Sequence, residues 1–266
     1  MVNIGGTESG AAGINDSGQV AAGAYVPAPP IAGTRAFLYS GYPGGTWTEL
    51  PNLGGGIGYA NAINSSGQIA GTSYVSDADG GVEHAFLFGN GVVTDLGTLG
   101  GPRLSAATGI NDRGDVVGLS LLTGNNSNSS FAGAHAFLYA AGGSMLDLRT
   151  LGGSTSRANA ISSYGEIVGE SLTGTGADHA FLYANGAMID LNTLLPPNSG
   201  WVLEAANAIN DSGQIVGYGI NPNGQTHGFL LNTAPEPGSF VLLFTGSAIL
   251  VVNRRTTLAY LCTRKQ

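Results

Sequence analysis

The feature that most constrains the fold is an internal repeat of about 49 residues. A motif that reads Ile-Asn-Asp-Ser-Gly-Gln-Val begins at Ile14 and returns in varied form at spacings of 49, 47, 51 and 48 residues. The later copies begin at Ile63, Ile110, Ile161 and Ile209. Repeats of this length are supersecondary units that bury a core only by stacking on their neighbours. The sequence therefore predicts five copies of one small unit.

Two further motifs divide each unit into four strands. The Asn-Asp-Ser-Gly segment is typical of a type I turn with glycine in the left-handed position that follows it. A His-Ala-Phe segment comes next, or Arg-Ala-Phe in the first unit, and the pairs Asn90-Gly91 and Asn185-Gly186 then favour two-residue hairpins. An acidic residue followed by leucine ends the last strand. We call the four predicted strands of each unit A to D.

Composition and strand count together give the fold class. Glycine supplies 45 of the 266 residues and charged residues only 10%, so good helix formers are scarce. Four antiparallel strands per repeat are the plan of a β-propeller blade. We predict an all-β, five-bladed β-propeller over residues 1–232. The alternative is a right-handed β-solenoid, whose coils are usually shorter and lack two tight hairpins per repeat.

The N-terminus predicts how the ring closes. Residues 1–6 match the end of the third motif, at 96–101, and no strand D follows the last unit at Leu231. We expect the N-terminal strand to complete the last blade and hide its edge. The match begins midway through the motif, so we expect the natural protein to begin upstream and the signal peptide to be missing from this chain.

The C-terminus is predicted to be a separate module. A linker over 233–239 precedes an apolar segment, 240–255, that ends in Arg254 and Arg255, and a tail occupies 256–266. We predict a hydrophobic sorting or transmembrane helix over 240–255. The basic pair would remain cytoplasmic by the positive-inside rule.

Charge and cysteine content exclude several functions. Residues 1–238 hold all 17 acidic residues and five of the nine basic ones, a net charge of −12. This body repels phosphates, so we expect no nucleic-acid partner. The one cysteine, Cys262, lies in the tail, so the body has no disulfide, thiol nucleophile or thiolate metal site.

These motifs resemble two known families. The His-Ala-Phe segments, with Ile-Asn-Asp-Ser-Gly and Asp-Leu-Gly-Thr-Leu-Gly-Gly, resemble the bacterial HAF extracellular repeat family, which implies an exported protein and no catalytic residues. The tail resembles a PEP-CTERM sorting signal, although it continues past the arginines. That resemblance implies an exosortase-type transpeptidase as partner and the inner membrane as a transient anchor. The matching residues are Pro235, Glu236, Pro237, Arg254 and Arg255.

The recurring histidines and acids predict a structural role. Strand C is third from the propeller axis, about 10 Å beyond strand A, so histidines of different blades do not converge on one metal. Counting back from the hairpins places Asp95 opposite Phe86 and Asp190 opposite Phe181, which makes each histidine a diagonal neighbour of an acid. We predict a His–Asp hydrogen bond between strands C and D. The residues are His84, His135, His179 and His227, with Asp95, Asp147 and Asp190.

Loop residues supply the other candidate sites. Asp77 and Asp79 form a weak calcium candidate that we interpret as a solvated turn, because the EF-hand spacing is absent. Tyr25, Tyr74 and Trp201 lie where the variable loops predict one face, and their rings are suited to stacking on sugars.

Function follows from these expectations. No enzyme motif is present and no cofactor is expected. We expect an exported envelope or extracellular binding module, with a polysaccharide or matrix-protein partner and an exopolysaccharide or biofilm association implied by the sorting family. The alternatives are a polysaccharide-active hydrolase or lyase that uses the loop face, and a degraded gene copy.

Overall fold

The protein is built almost entirely of β-strands. The computed structural model describes residues 4, 7–27, 32–41, 43–76, 81–122, 132–232, 244–245 and 247–251. Its strands form antiparallel units of four, in the order of the chain. The predicted all-β class and the four-stranded antiparallel unit are confirmed.

Four units are complete, and we number them along the chain. Unit 1 has β1 (Ser9–Ile14), β2 (Val20–Val26), β3 (Gly33–Ser40) and β4 (Thr46–Glu49). Unit 2 has β5 (Gly58–Ile63), β6 (Ile69–Ser76), β7 (Val82–Gly89) and β8 (Val92–Asp95). Unit 3 has β9 (Gly100–Ile110), β10 (Val116–Leu122), β11 (Ala134–Tyr139) and β12 (Met145–Arg149). Unit 4 has β13 (Gly152–Ile161), β14 (Ile167–Thr173), β15 (Asp178–Ala184) and β16 (Ala187–Asp190).

Unit 5 follows a short 3-10 helix, Leu191–Leu194, and differs at its outer edge. Its first three strands are β17 (Val202–Ile209), β18 (Gln214–Ile220) and β19 (Thr226–Asn232). The place beside β19 is taken by β21 (Ser247–Val251), which runs parallel to it and pairs in turn with β20 (Phe244–Thr245).

The turn between strands A and B is the same in every unit and explains the first motif. In unit 1 the Asn15 side-chain oxygen accepts from the backbone N–H groups of Ser17 and Gln19, at 3.1 and 3.0 Å. Gly18 takes a φ of 72°, the left-handed conformation that a side chain disfavours. Asparagine and glycine therefore recur because the turn needs an acceptor and a left-handed residue.

The units stack face to face, and each has two distinct faces. On strand B of unit 4 the back face carries Ile167, which packs with Val117 of unit 3. The front face carries Val168, which packs with Ile215 of unit 5. The same arrangement joins units 1 and 2 and units 2 and 3, so the core is a series of four similar interfaces.

The C-terminal segment is a correction to the sequence expectation. Its described residues, 244–245 and 247–251, form strands, so the predicted helix over 240–255 is not found there. A run rich in β-branched residues suits a strand as well as a helix, and β19 offers the open edge where a fourth strand fits. In the described part of the chain β21 occupies that edge. Residues 1–3 and 5–6 lie outside the described part of the chain.

Candidate functional site

A groove between units 1 and 2 brings aromatic and polar side chains together. Its volume is about 440 Å³, and its walls carry Tyr25 of β2 and Tyr59 of β5. The two rings are among the most exposed large side chains, at 38% and 42%. Glu8, Thr34 and Asn61 add polar groups to the same walls. An exposed aromatic pair beside hydrogen-bonding groups is typical of a ligand site.

Two glycines open the groove. A Cβ built on Gly10 would have no atom within 4 Å, and one on Gly23 would be in ordinary contact with the Thr34 side chain and the Arg35 carbonyl. The paired positions in unit 4 are Arg157 and Glu170, whose side chains occupy the corresponding space. The groove is thus formed by the absence of side chains in unit 1.

The backbone fixes the position of Tyr25. Its N–H donates to the Glu8 carbonyl at 2.8 Å, and its own carbonyl accepts from the Thr7 N–H at 3.3 Å. These bonds continue the pairing of β1 and β2 beyond the end of the strand. Tyr25 is therefore fixed in the groove wall by paired strand backbone.

The structure brings only part of the predicted ligand face together. Tyr25 lines the groove, whereas Tyr74 is half-buried and is not one of the groove's lining residues. Burial and a hydrogen bond with Glu83 raise the pKa of the Tyr74 phenol. Trp201 packs against the core between units 4 and 5. Sequence reasoning missed Tyr59, whose role depends on how unit 2 packs on unit 1. The signal was the pair Gly10 and Gly23, at positions where other units carry larger residues.

The recurring histidines lie beside carboxylates. Nδ1 of His84 is 2.9 Å from the Asp95 carboxylate, and His135 lies equally close to Asp147. His179 is 2.7 Å from Asp190. Each acid also accepts from the backbone N–H two residues later, as Asp95 does from Gly97 at 2.7 Å.

Units 1 and 5 differ from the others at the histidine and aspartate positions. In unit 1, Arg35 and Glu49 stand at the histidine and aspartate positions, with 4.0 Å between charged atoms. His227 of unit 5 is exposed and pairs with no acid among the described residues. The pair is therefore a unit-by-unit link between strands C and D, with one exchange of residue types.

A group of charged residues lies between units 4 and 5. Burial raises the pKa of Glu170 above its usual range; the Arg157 charge opposes this shift and the Asp178 charge adds to it. Burial also raises the pKa of Tyr218, as do the charges of Glu170, Glu204 and Asp178. The group holds a half-buried carboxyl that keeps its proton to higher pH than an exposed one.

Other predicted sites lie outside the described residues. These are the calcium candidate Asp77 and Asp79, the Pro235-Glu236-Pro237 segment, and Arg254 and Arg255. In the part that the structure describes, no three His, Cys, Asp or Glu side chains are placed to hold a metal. No helix there combines the length and hydropathy needed to cross a membrane.

Comparison with known proteins yields a distant structural likeness. No protein-family model and no curated protein matches the chain. A solved gluconolactonase from Xanthomonas campestris aligns over 91% of this chain and 80% of its own, with a TM-score of 0.45 and 12% identity. At this level the likeness assigns no activity to the present chain.

Proposed function

We propose that the protein is an exported binding module, with five propeller-type units as its scaffold, that takes a polysaccharide in the groove between units 1 and 2. The observation that supports this is the convergence of Tyr25 and Tyr59 on one open groove. Two rigid aromatic rings offer apolar faces to sugar rings at a small cost in side-chain entropy. Glu8, Thr34 and Asn61 supply acceptors and donors for hydroxyl groups.

Neutral or basic glycans suit the groove best. The body carries a net charge of −12 and the groove wall carries Glu8, so a polyanionic chain would be repelled. We therefore expect the ligand to be an uncharged or amino-sugar polymer.

Glycan-array binding with tyrosine variants tests the proposal. Tyr25→Ala and Tyr59→Ala should each weaken binding at least about fivefold, since stacking of one ring contributes on the order of 1 kcal/mol or more. Tyr164→Ala is the matched control, because Tyr164 is 70% exposed on a turn of unit 4. Equal binding by all three variants, or none by the wild type, would refute the groove as the site.

The route to the cell envelope is a separate part of the proposal. The Pro235-Glu236-Pro237 segment, the apolar run and the Arg254-Arg255 pair support recognition by an exosortase-type transpeptidase after membrane insertion. Intact mass after expression from the full reading frame, in a host with an exosortase, should show a body that ends near Pro235. An uncleaved chain in the cytoplasm would refute this part alone, because glycan binding by the groove does not depend on sorting.

A hydrolase or lyase is the second candidate, and Glu170 is the observation that favours it. A carboxyl whose pKa is raised by burial can serve as a general acid, and it lies near Tyr218 and Glu204. Product formation from a bound glycan, abolished by Glu170→Gln, would favour the enzyme. Binding without turnover favours the module.

A further inference from the structure

The back face of unit 1 is exposed where the back faces of the other units are buried or half-buried. Ile14 is 70% exposed, whereas its counterpart Ile161 is 9% exposed. Ala11 is exposed, whereas its counterparts Ala107 and Ala158 are fully buried. The residues of this face are therefore those of an interface whose partner is not found among the described residues.

The front face of unit 5 is likewise exposed where the front faces of other units are buried. Val216 is 42% exposed, whereas Val117 and Val168 at the same place in units 3 and 4 are completely buried. Gly228 of β19 is exposed, whereas its counterpart Ala180 is buried. Within the described residues, no strand of unit 1 packs along a strand of unit 5 as neighbouring units do.

Hydrogen bonds between neighbouring units run in one direction. The Asn61 side-chain amide donates to the Ala107 carbonyl at 2.7 Å, and Asn159 donates to Ala206 at 3.0 Å. By the repeat, the next donor is Asn207 of unit 5 and its acceptor is the Ala11 carbonyl of unit 1. Asn207 is exposed, and its side chain makes no hydrogen bond within the described part of the chain.

The turns between strands A and B make a second set of hydrogen bonds between units, and these run in the same direction. The Asn64 side-chain amide donates to the Asn111 carbonyl at 3.0 Å, and Asn111 donates to Ser162. Asn210 donates only to its own Gln214 among the described residues, which leaves one N–H for an acceptor beyond unit 5.

A buried serine adds a hydrogen bond from the other side at two of the four interfaces. Ser105 of unit 3 accepts from the Ala85 N–H of unit 2 at 2.8 Å, and Ser156 accepts from Ala136 at the same distance. The equivalent serine of unit 1 is Ser9, which is exposed, and the equivalent N–H in unit 5 belongs to Gly228. Unit 5 thus carries the front half of the interface and unit 1 the back half.

We infer that the protein associates head to tail, with the front face of unit 5 in one copy docked on the back face of unit 1 in a second copy. The new contact repeats the interface that the chain already forms four times, with apolar contact around Val216 and Ile14. Asn207 and Asn210 donate across it to Ala11 and Asn15 carbonyls. Because the two halves differ, the association is heterologous and leads to a ring or a filament.

The second copy is favoured because it carries the matching surface. Both complementary faces are present on the same chain and both are open, so each molecule supplies the partner that the other lacks. The inference does not rest on glycan binding: the groove shares Ser9 and Ala11 with the back face of unit 1, but the two tyrosines proposed to stack on the glycan belong to neither docked face.

Charge substitutions at the two faces test the direction of association. Ile14→Glu blocks the back face and Val216→Glu blocks the front face, and both side chains are already exposed, so the fold should persist. In sedimentation velocity with full chain in mild detergent, wild type should form concentration-dependent oligomers. Each variant alone should be monomeric, and an equimolar mixture should form a dimer. Circular dichroism and melting curves check that each variant is folded.

A control variant and three contrary outcomes make the test specific to these two faces. Val92→Glu, at a residue 61% exposed in the hairpin of unit 2, should associate as wild type does. Association through the apolar C-terminal segment would survive both face variants and overturn the inference. A front-blocked variant that still dimerises alone would show a symmetric interface and also overturn it. A monomeric wild type whose Ile14 region is protected from hydrogen exchange would show closure within one molecule, which is equally contrary to it.

Discussion

Nδ1 of His179 lies 2.7 Å from Oδ2 of Asp190, and the other oxygen of that carboxylate accepts from the Asn192 N–H at 2.9 Å. One aspartate therefore joins strand β15, strand β16 and the 3-10 helix that follows. Similar contacts surround Asp95, the last residue of β8, and Asp147, in the middle of β12. The pair links strands C and D at the outer end of units 2, 3 and 4.

His179→Ala should destabilise the protein. The bond is charge-assisted but both side chains are about a fifth exposed, so solvent screens part of it. We expect a loss of about 1 kcal/mol in the free energy of unfolding, which lowers the Tm by about 3 °C. His227→Ala is the control, because His227 has no acidic partner among the described residues and should change little. Matching melting curves for the two variants would show that the His179–Asp190 hydrogen bond does not stabilise the fold.

The stability of unit 2 should fall in acid through Asp95. Burial opposes ionisation of Asp95, but hydrogen bonds from His84 and Gly97 outweigh it and hold the pKa of this carboxyl below its usual 3.8. A carboxyl with a lowered folded-state pKa stabilises the fold above its unfolded pKa, and that contribution is lost as the pH falls through the folded value.

Urea denaturation of wild type and Asp95→Asn from about pH 6 to about pH 2 measures this contribution. The wild type should be the more stable at the upper end, and the difference should shrink towards the lower end. In the His84→Ala background the shrinkage should be smaller. A difference that stays constant with pH would show that the charge of Asp95 contributes nothing.

Asn64→Ala should be among the most damaging polar substitutions. This side chain is 4% exposed, donates to Gln68 and to Asn111 of the next unit, and accepts from the Gln68 N–H. Its loss leaves buried backbone groups unsatisfied, so we expect a cost of about 2–3 kcal/mol.

Asn221→Ala is the matched control for Asn64. Asn221 makes the same local bonds, to the N–H groups of Asn223 and Gln225, but none to another unit within the described residues. Its loss should cost less than about 1 kcal/mol. Equal losses in chemical denaturation would assign the effect to the turn and not to the interface.

The repeated elements were predictable because local chemistry specifies them. The hairpins Asn90-Gly91 and Asn185-Gly186 set the register that opposes Asp95 to Phe86 and Asp190 to Phe181, and the structure has both pairs. The C-terminal segment was not predictable in the same way. A short apolar run has no periodicity that separates a helix from a strand, and the open edge of β19 is a tertiary feature.

The groove could not be predicted from the sequence for a similar reason. Tyr25 was accessible to prediction as an exposed aromatic near a variable loop. Tyr59 joins it only because β5 packs on the front face of unit 1, and Trp201 leaves the predicted face because it packs on the core. Which aromatic rings converge depends on packing between repeats, and the repeat pattern alone does not carry that information.

Ser156→Ala tests whether the serine bond holds neighbouring units together. The hydroxyl is buried, accepts from the Ala136 N–H at 2.8 Å and donates to the Arg149 carbonyl. Removing it leaves the fully buried Ala136 N–H without a partner, at a cost of about 2 kcal/mol. Ser9→Ala changes the same position in unit 1, where no preceding unit lies within the described part of the molecule, and should leave monomer stability unchanged. Urea denaturation at low protein concentration compares the two, and equal losses would mean that the hydroxyl stabilises its own strand pair and not the interface.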